Sequence, residues 1–71
     1  MVYYKISATT IMVEEETYTT YGITCMNNGE TIAKIDDVST NKEDVESTIE
    51  LFNKNQLDPE HFIEAVEDSL L

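Results

Sequence analysis

The stretch STNKEDVESTIELFNKNQLDPEHFIEAVEDSLL, residues 39–71, decides how this chain folds. It reads as two amphipathic helices joined by a short connection. Thr40-Asn41-Lys42-Glu43 has the Ser/Thr-x-x-Glu spacing of a capping box, with the Thr40 hydroxyl accepting from the Glu43 amide and the Glu43 carboxylate reaching back. Val45, Thr48, Ile49 and Phe52 then recur at three- and four-residue intervals, which predicts one buried stripe. The helix is expected to end between Asn53 and Asn55, because asparagine tolerates the left-handed backbone of helix ends. Asp58-Pro59 opens the second helix with a capping carboxylate and a proline whose missing N–H costs nothing there. Phe62, Ile63, Val66 and Leu70 form its stripe. So short a connection makes the two helices neighbours.

The residues before this stretch read as the sheet that the helices cover. Val2, Tyr4, Ile6 and Ala8 alternate with Tyr3, Lys5 and Ser7, the two-residue period of a half-buried strand. The alternation slips near Thr9 to Ile11, and a bulge there would bring Ile11 and Val13 back into phase. Glu14-Glu15-Glu16 predicts a solvated turn. Thr17 to Cys25 is rich in Thr, Tyr and Ile and places Tyr21, Ile23 and Cys25 on one face. Asn27-Asn28-Gly29 is a turn, and two registers follow from it. A two-residue turn pairs Ile23 with Lys34, whereas a three-residue loop with Gly29 left-handed pairs Ile23 with Ala33 and Tyr21 with Ile35. The second gathers the apolar residues on one side and is preferred, with a third strand over Glu30 to Ile35. The expected fold is α+β: a three-stranded antiparallel meander over residues 1–38 followed by two helices over 39–71 packed on one face, in a single domain.

Charge separates the two halves. The chain has fifteen acids against four lysines and no arginine, for a net charge of -11. Residues 36–71 hold eleven of those acids and only two lysines. Such a chain lacks the basic footprint of a nucleic-acid binder and is repelled by anionic membranes. The complementary partner is cationic, either a basic protein surface or a metal ion. Cys25 is alone, and the N-terminus has neither a basic nor a long apolar leader, so a cytoplasmic location is expected.

Most catalytic constellations cannot be assembled from one His, one Cys and two Gly. A Cys–His pair would require Cys25, on a core-facing strand position, to meet His61 at a helix start. His61 and Glu64 lie one helical turn apart, with Glu60, Glu67 and Asp68 on the same side, but no His-x-x-x-His or Cys-rich spacing is present, and Asp36-Asp37-Val38-Ser39-Thr40-Asn41 lacks the central glycine of a calcium loop. The expectation is a non-enzymatic protein with no cofactor and no metal.

The positive signal lies on the helices. At 100° per residue, Glu43, Glu46 and Glu50 share a face about 140° from the first apolar stripe, and Glu60, Glu64, Glu67 and Asp68 share one on the second helix. Carboxylates four residues apart are separated by about 6 Å along the axis, comparable to phosphates of an extended single strand. Helix faces turned from a core are ordinarily charged, and excess acid also aids solubility. Among the aromatics, Tyr4 and Tyr21 read as core, while Tyr3 and Tyr18 are candidates for an exposed patch on the uncovered sheet face.

At Tyr21-Gly22-Ile23, Ile35-Asp36-Asp37-Val38-Ser39-Thr40, Leu57-Asp58-Pro59-Glu60-His61 and Val66-Glu67-Asp68 the chain resembles a family of short acidic bacterial proteins known only as a domain of unknown function. The resemblance covers roughly the last two thirds, matches poorly over the first strand, and implies no activity and no functional residue.

Two functional expectations follow. In the first, the acidic helices dock on a basic surface of a partner, as small anionic phage-encoded inhibitors occupy nucleic-acid grooves of host defence nucleases. In the second, a housekeeping or regulatory domain forms a homodimer through its sheet, using Tyr3 and Tyr18, with the acids serving solubility alone.

Overall fold

The computed structural model describes residues 1–71. Its elements run β1 (Val2–Val13), β2 (Glu16–Asn27), β3 (Glu30–Ser39), α1 (Lys42–Lys54), a 3₁₀ turn (Pro59–His61) and α2 (Phe62–Leu70). The strands form one antiparallel sheet in the order β1-β2-β3, with β2 central. This is the expected βββαα arrangement, with longer strands.

The pairing of β1 with β2 runs without interruption from Val2↔Asn27 to Val13↔Glu16. The bulge expected near Thr9 is therefore absent, and Ile11 and Val13 stay in phase with Tyr3 on the face away from the helices. The reason is length. Twelve strand residues reach about 40 Å and the thirteen of α1 about 20 Å, so no helix lies over the far end to reward turning those residues inward. The turn at Glu14-Glu15 closes the hairpin with positive φ values of 50 and 67, the signature of a type I′ turn.

The second turn is the two-residue alternative and not the preferred three-residue loop, and its register holds only for the first two pairs. Asn28 and Gly29 form a two-residue turn with φ 53 and 85, setting Asn27 opposite Glu30. A shift between Cys25 and Met26 then leaves Ile32 as the extra residue and pairs Ile23 with Ile35 and Cys25 with Ala33. The apolar residues share a face as expected, but a bulge achieves it. A second irregularity lies between Tyr21 and Ile23, where Asp37 takes a φ of 53 and Val38 turns into the core. Gly22 makes this possible: a Cβ there would stand 2.3 Å from the Ile35 carbonyl oxygen and 3.0 Å from the Asp36 Cα.

The cap of α1 is one residue later than the sequence reading. Asn41 rather than Thr40 is the N-cap, its Oδ1 accepting from the Asp44 amide at 3.2 Å, while Ser39 Oγ accepts from the Asn41 amide at 3.0 Å. The buried stripe is Val45, Thr48, Ile49 and Phe52, as its spacing predicts. Asp58 caps the 3₁₀ turn through Glu60 N–H at 2.9 Å. Phe62 and Val66 of α2 are buried and Leu70 packs beside them, but Ile63 is 60% exposed because no element reaches its side of the helix.

The core joins Tyr4, Ile23, Cys25 and Val38 of the sheet to Val45, Ile49, Phe52, Phe62 and Val66 of the helices. At its centre Tyr4 meets Phe52 and Phe62 with ring centroids 5.4 and 5.3 Å away, the first contact edge-on.

Candidate functional site

Helix α1 holds its acids outward because its other side is committed to the core. Glu43, Glu46 and Glu50 are exposed, and the placement of Glu43 and Asp44 in the first turn and Lys54 in the last complements the helix dipole. On the second helical segment Glu60, Glu64, Glu67 and Asp68 are also exposed. They do not form one continuous row. Glu60 belongs to the 3₁₀ turn, which advances 120° per residue, so the α-helical phase begins only at Phe62. Glu64, Glu67 and Asp68 share α2, with exposed Ile63 one turn from Glu67.

None of these seven carboxylates is paired. The one ion pair of the molecule joins Lys34 Nζ to Asp36 Oδ1 at 3.4 Å, on the sheet. The helical surface therefore presents its negative charge to solvent without internal neutralisation.

Two clefts flank the outer edge of β1. Ile6, Glu46, Ile49, Glu50 and Asn53 line one of about 330 Å³. Met1, Val2, Tyr3, Asn53, Gln56, Leu57, Asp58 and Pro59 line another of about 670 Å³. Asn53 stands between them. Its Oδ1 accepts from the Tyr4 N–H at 2.7 Å and its Nδ2 donates to the Tyr4 carbonyl at 2.9 Å. Part of the acidic face of α1 thus borders a strand edge, a proximity the sequence did not reveal because it depends on which edge α1 lies along.

Tyr3 is 39% and Tyr18 44% exposed, both on the face away from the helices. They do not form one patch. Tyr18 pairs with Ile11, eight residues along β1 from Tyr3, which separates the two by about 26 Å. The Tyr18 hydroxyl donates to Glu16 Oε2 at 2.5 Å, and this bond raises the phenol above its ordinary range. Tyr4 and Tyr21 belong to the core region, as read.

Cys25 is fully buried and His61 is exposed in the 3₁₀ turn. No three His, Cys, Asp or Glu side chains converge as a metal-binding group. No helix is long and apolar enough to cross a membrane. Glu14 and Glu15 are residues to which the sequence reading gave no role beyond a turn, yet they hold left-handed backbone at the hairpin tip where Asn and Gly are favoured.

The geometry defines a small α+β protein whose helices turn unpaired carboxylates to solvent. The chain belongs to the family of unknown function DUF6514, whose model matches residues 1–71. The match includes the first strand, so the family extends over more of the chain than the motifs indicated. No curated protein and no solved structure matches it.

Proposed function

We propose that this protein is a non-enzymatic binding module whose acidic helical faces dock on a basic surface of a partner protein. The observation that supports this reading is the set Glu43, Glu46, Glu50, Glu64, Glu67 and Asp68, exposed on α1 and α2 without a single ion pair. Glu60 contributes from the adjoining 3₁₀ turn. A surface of this kind speeds encounter with a cationic partner and selects against anionic ones.

In its specific form the carboxylate rows take the place of nucleic-acid phosphates, so that the protein acts as an inhibitor of a nucleic-acid-binding partner, as phage-encoded counter-defence proteins do. The spacing of about 6 Å between carboxylates four residues apart on a helix supports this form. The experiment is calorimetric titration of an arginine-rich peptide into the protein and into a Glu60→Gln, Glu64→Gln, Glu67→Gln variant. Affinity in the variant should fall by tenfold or more, and unchanged affinity would remove these acids from the surface. Displacement of a single-stranded oligonucleotide from the same peptide tests the inhibitor form.

A further inference from the structure

The alternation of a strand fixes which backbone groups of β1 are free. Tyr4 turns its N–H and C=O outward, where Asn53 takes both. By the same alternation the N–H and C=O groups of Ile6, Ala8, Thr10 and Met12 point away from β2. None of the backbone hydrogen bonds made outside the strands and helices reaches them. An exposed edge of this length is a template for another strand, and proteins ordinarily blunt it with charge, proline or a bulge. Residues 6–13 contain no charge and no proline, and the pairing holds no bulge.

We propose that the edge of β1 from Ile6 to Met12 takes up an extended basic segment of a partner protein as an added strand, with a Lys or Arg of that segment seated between α1 and β1. This rests on the reading that the acidic helical faces bind a basic partner. The cleft beside Ile6 has the chemistry for such a side chain: Ile6 and Ile49 offer apolar surface to the aliphatic stem, and Glu46 and Glu50 offer carboxylates to the head. Main-chain hydrogen bonds along the edge supply affinity, and the cleft supplies selectivity for a cation at one alternate position. Asn53 limits the site at its inner end by occupying Tyr4.

A second copy of this chain fits the edge less well. Pairing two β1 edges about Thr9 would set Tyr4 opposite Glu14 of the second copy, bringing the Glu14-Glu15 turn beside the cleft that Glu50 lines. Each copy also carries a net charge of -11. Like charges at both levels oppose that arrangement.

The test uses an alternating Arg-Val heptapeptide and, as control, the same peptide with its central valine replaced by proline, which keeps the charge and breaks the strand. Both are titrated by calorimetry into the wild-type chain, Ala8→Pro and the Glu46→Gln, Glu50→Gln variant. Ala8→Pro removes an outward donor and leaves every β1–β2 bond, and circular dichroism confirms that it is folded. The alternating peptide should bind the wild type at least tenfold more tightly than the control does, lose that advantage on Ala8→Pro, and slow amide exchange at Ile6, Ala8 and Thr10. Equal binding of the two peptides, with both weakened by Glu46→Gln, Glu50→Gln, overturns the added strand and leaves the acidic surface standing. Strand-selective binding indifferent to those glutamates overturns the seated cation and counts against the acidic surface itself. A chain that doubles its 8.1 kDa mass in solution and loses the dimer on Ala8→Pro assigns the edge to a second copy and overturns the proposal.

Discussion

The carboxamide of Asn53 closes on the backbone of Tyr4 as a neighbouring strand would, accepting from its N–H at 2.7 Å and donating to its C=O at 2.9 Å. The last turn of α1 is thereby fastened to the edge of β1 at the residue whose ring sits among Phe52 and Phe62. Asn53→Ala leaves a partly buried donor and acceptor without partners. The expected loss is about 1–3 kcal/mol, seen as a lower midpoint in urea with little change in slope. Asn53→Asp keeps the acceptor for the Tyr4 N–H but sets a carboxylate oxygen against the Tyr4 carbonyl oxygen, and should lose at least as much as Asn53→Ala.

Tyr4 also ties the connection between the helices, since its hydroxyl donates to the Leu57 carbonyl at 2.7 Å. Burial, with smaller contributions from Cys25 and Asp58, holds its phenol well above the ordinary value. For an acid whose folded value is raised, the stabilisation is fully present below the unfolded value, about pH 10 for tyrosine, and is lost as pH rises from there through the folded value. Wild-type protein should therefore lose stability above about pH 10 more steeply than Tyr4→Phe does. Denaturant midpoints across that range check this.

The two glycines should respond differently to alanine. At Gly22 the added Cβ meets backbone, the Ile35 carbonyl oxygen at 2.3 Å, and β3 must move. At Gly29 nothing lies within 4 Å, and the cost is the left-handed φ of 85 alone, about 1 kcal/mol. Gly22→Ala should be the more damaging, with a melting temperature well below that of Gly29→Ala.

The Glu14-Glu15 turn is built from residues that disfavour its backbone. Replacing them with Asn and Gly should stabilise the hairpin by about 1–2 kcal/mol, read as a higher melting temperature. A melting temperature that stays level would show that the turn carries no strain.

Much of this fold was legible because its signals are local. The 3- and 4-residue spacing of Val45, Thr48, Ile49 and Phe52 and the Asp58-Pro59 start identified the helices, and Asn28-Gly29 identified a turn. What was not legible has two sources, competition between local caps and dependence on distant partners. The cap is Asn41 rather than Thr40 through local bonds alone, Asn41 accepting from the Asp44 amide and Ser39 from the Asn41 amide. The register at Ile35 was set by a bulge at Ile32, and the second irregularity required the close approach that Gly22 permits. For the site, the exposure of the acids followed from helical phase, whereas the position of Glu46 and Glu50 beside Ile6 required the three-dimensional path of α1 along the β1 edge. Tyr3 and Tyr18 were read as neighbours by face, but the uninterrupted pairing places them at opposite ends.

The proposed docking surface requires that the placement of the acids on the helices matters, and not their number. It is tested by measuring the affinity of the alternating Arg-Val heptapeptide, across NaCl from about 50 to about 500 mM, for two charge-matched variants. One has Glu43, Glu46, Glu50, Glu64 and Glu67 changed to Gln; the other has Glu14, Glu15, Glu16 and Glu30 changed to Gln and Asp37 to Asn. The helix variant should bind at least tenfold more weakly than wild type at low salt and lose most of its salt dependence, while the sheet variant should stay within about threefold of wild type. Equal weakening in both variants would contradict it, because the acids would then be acting as bulk charge.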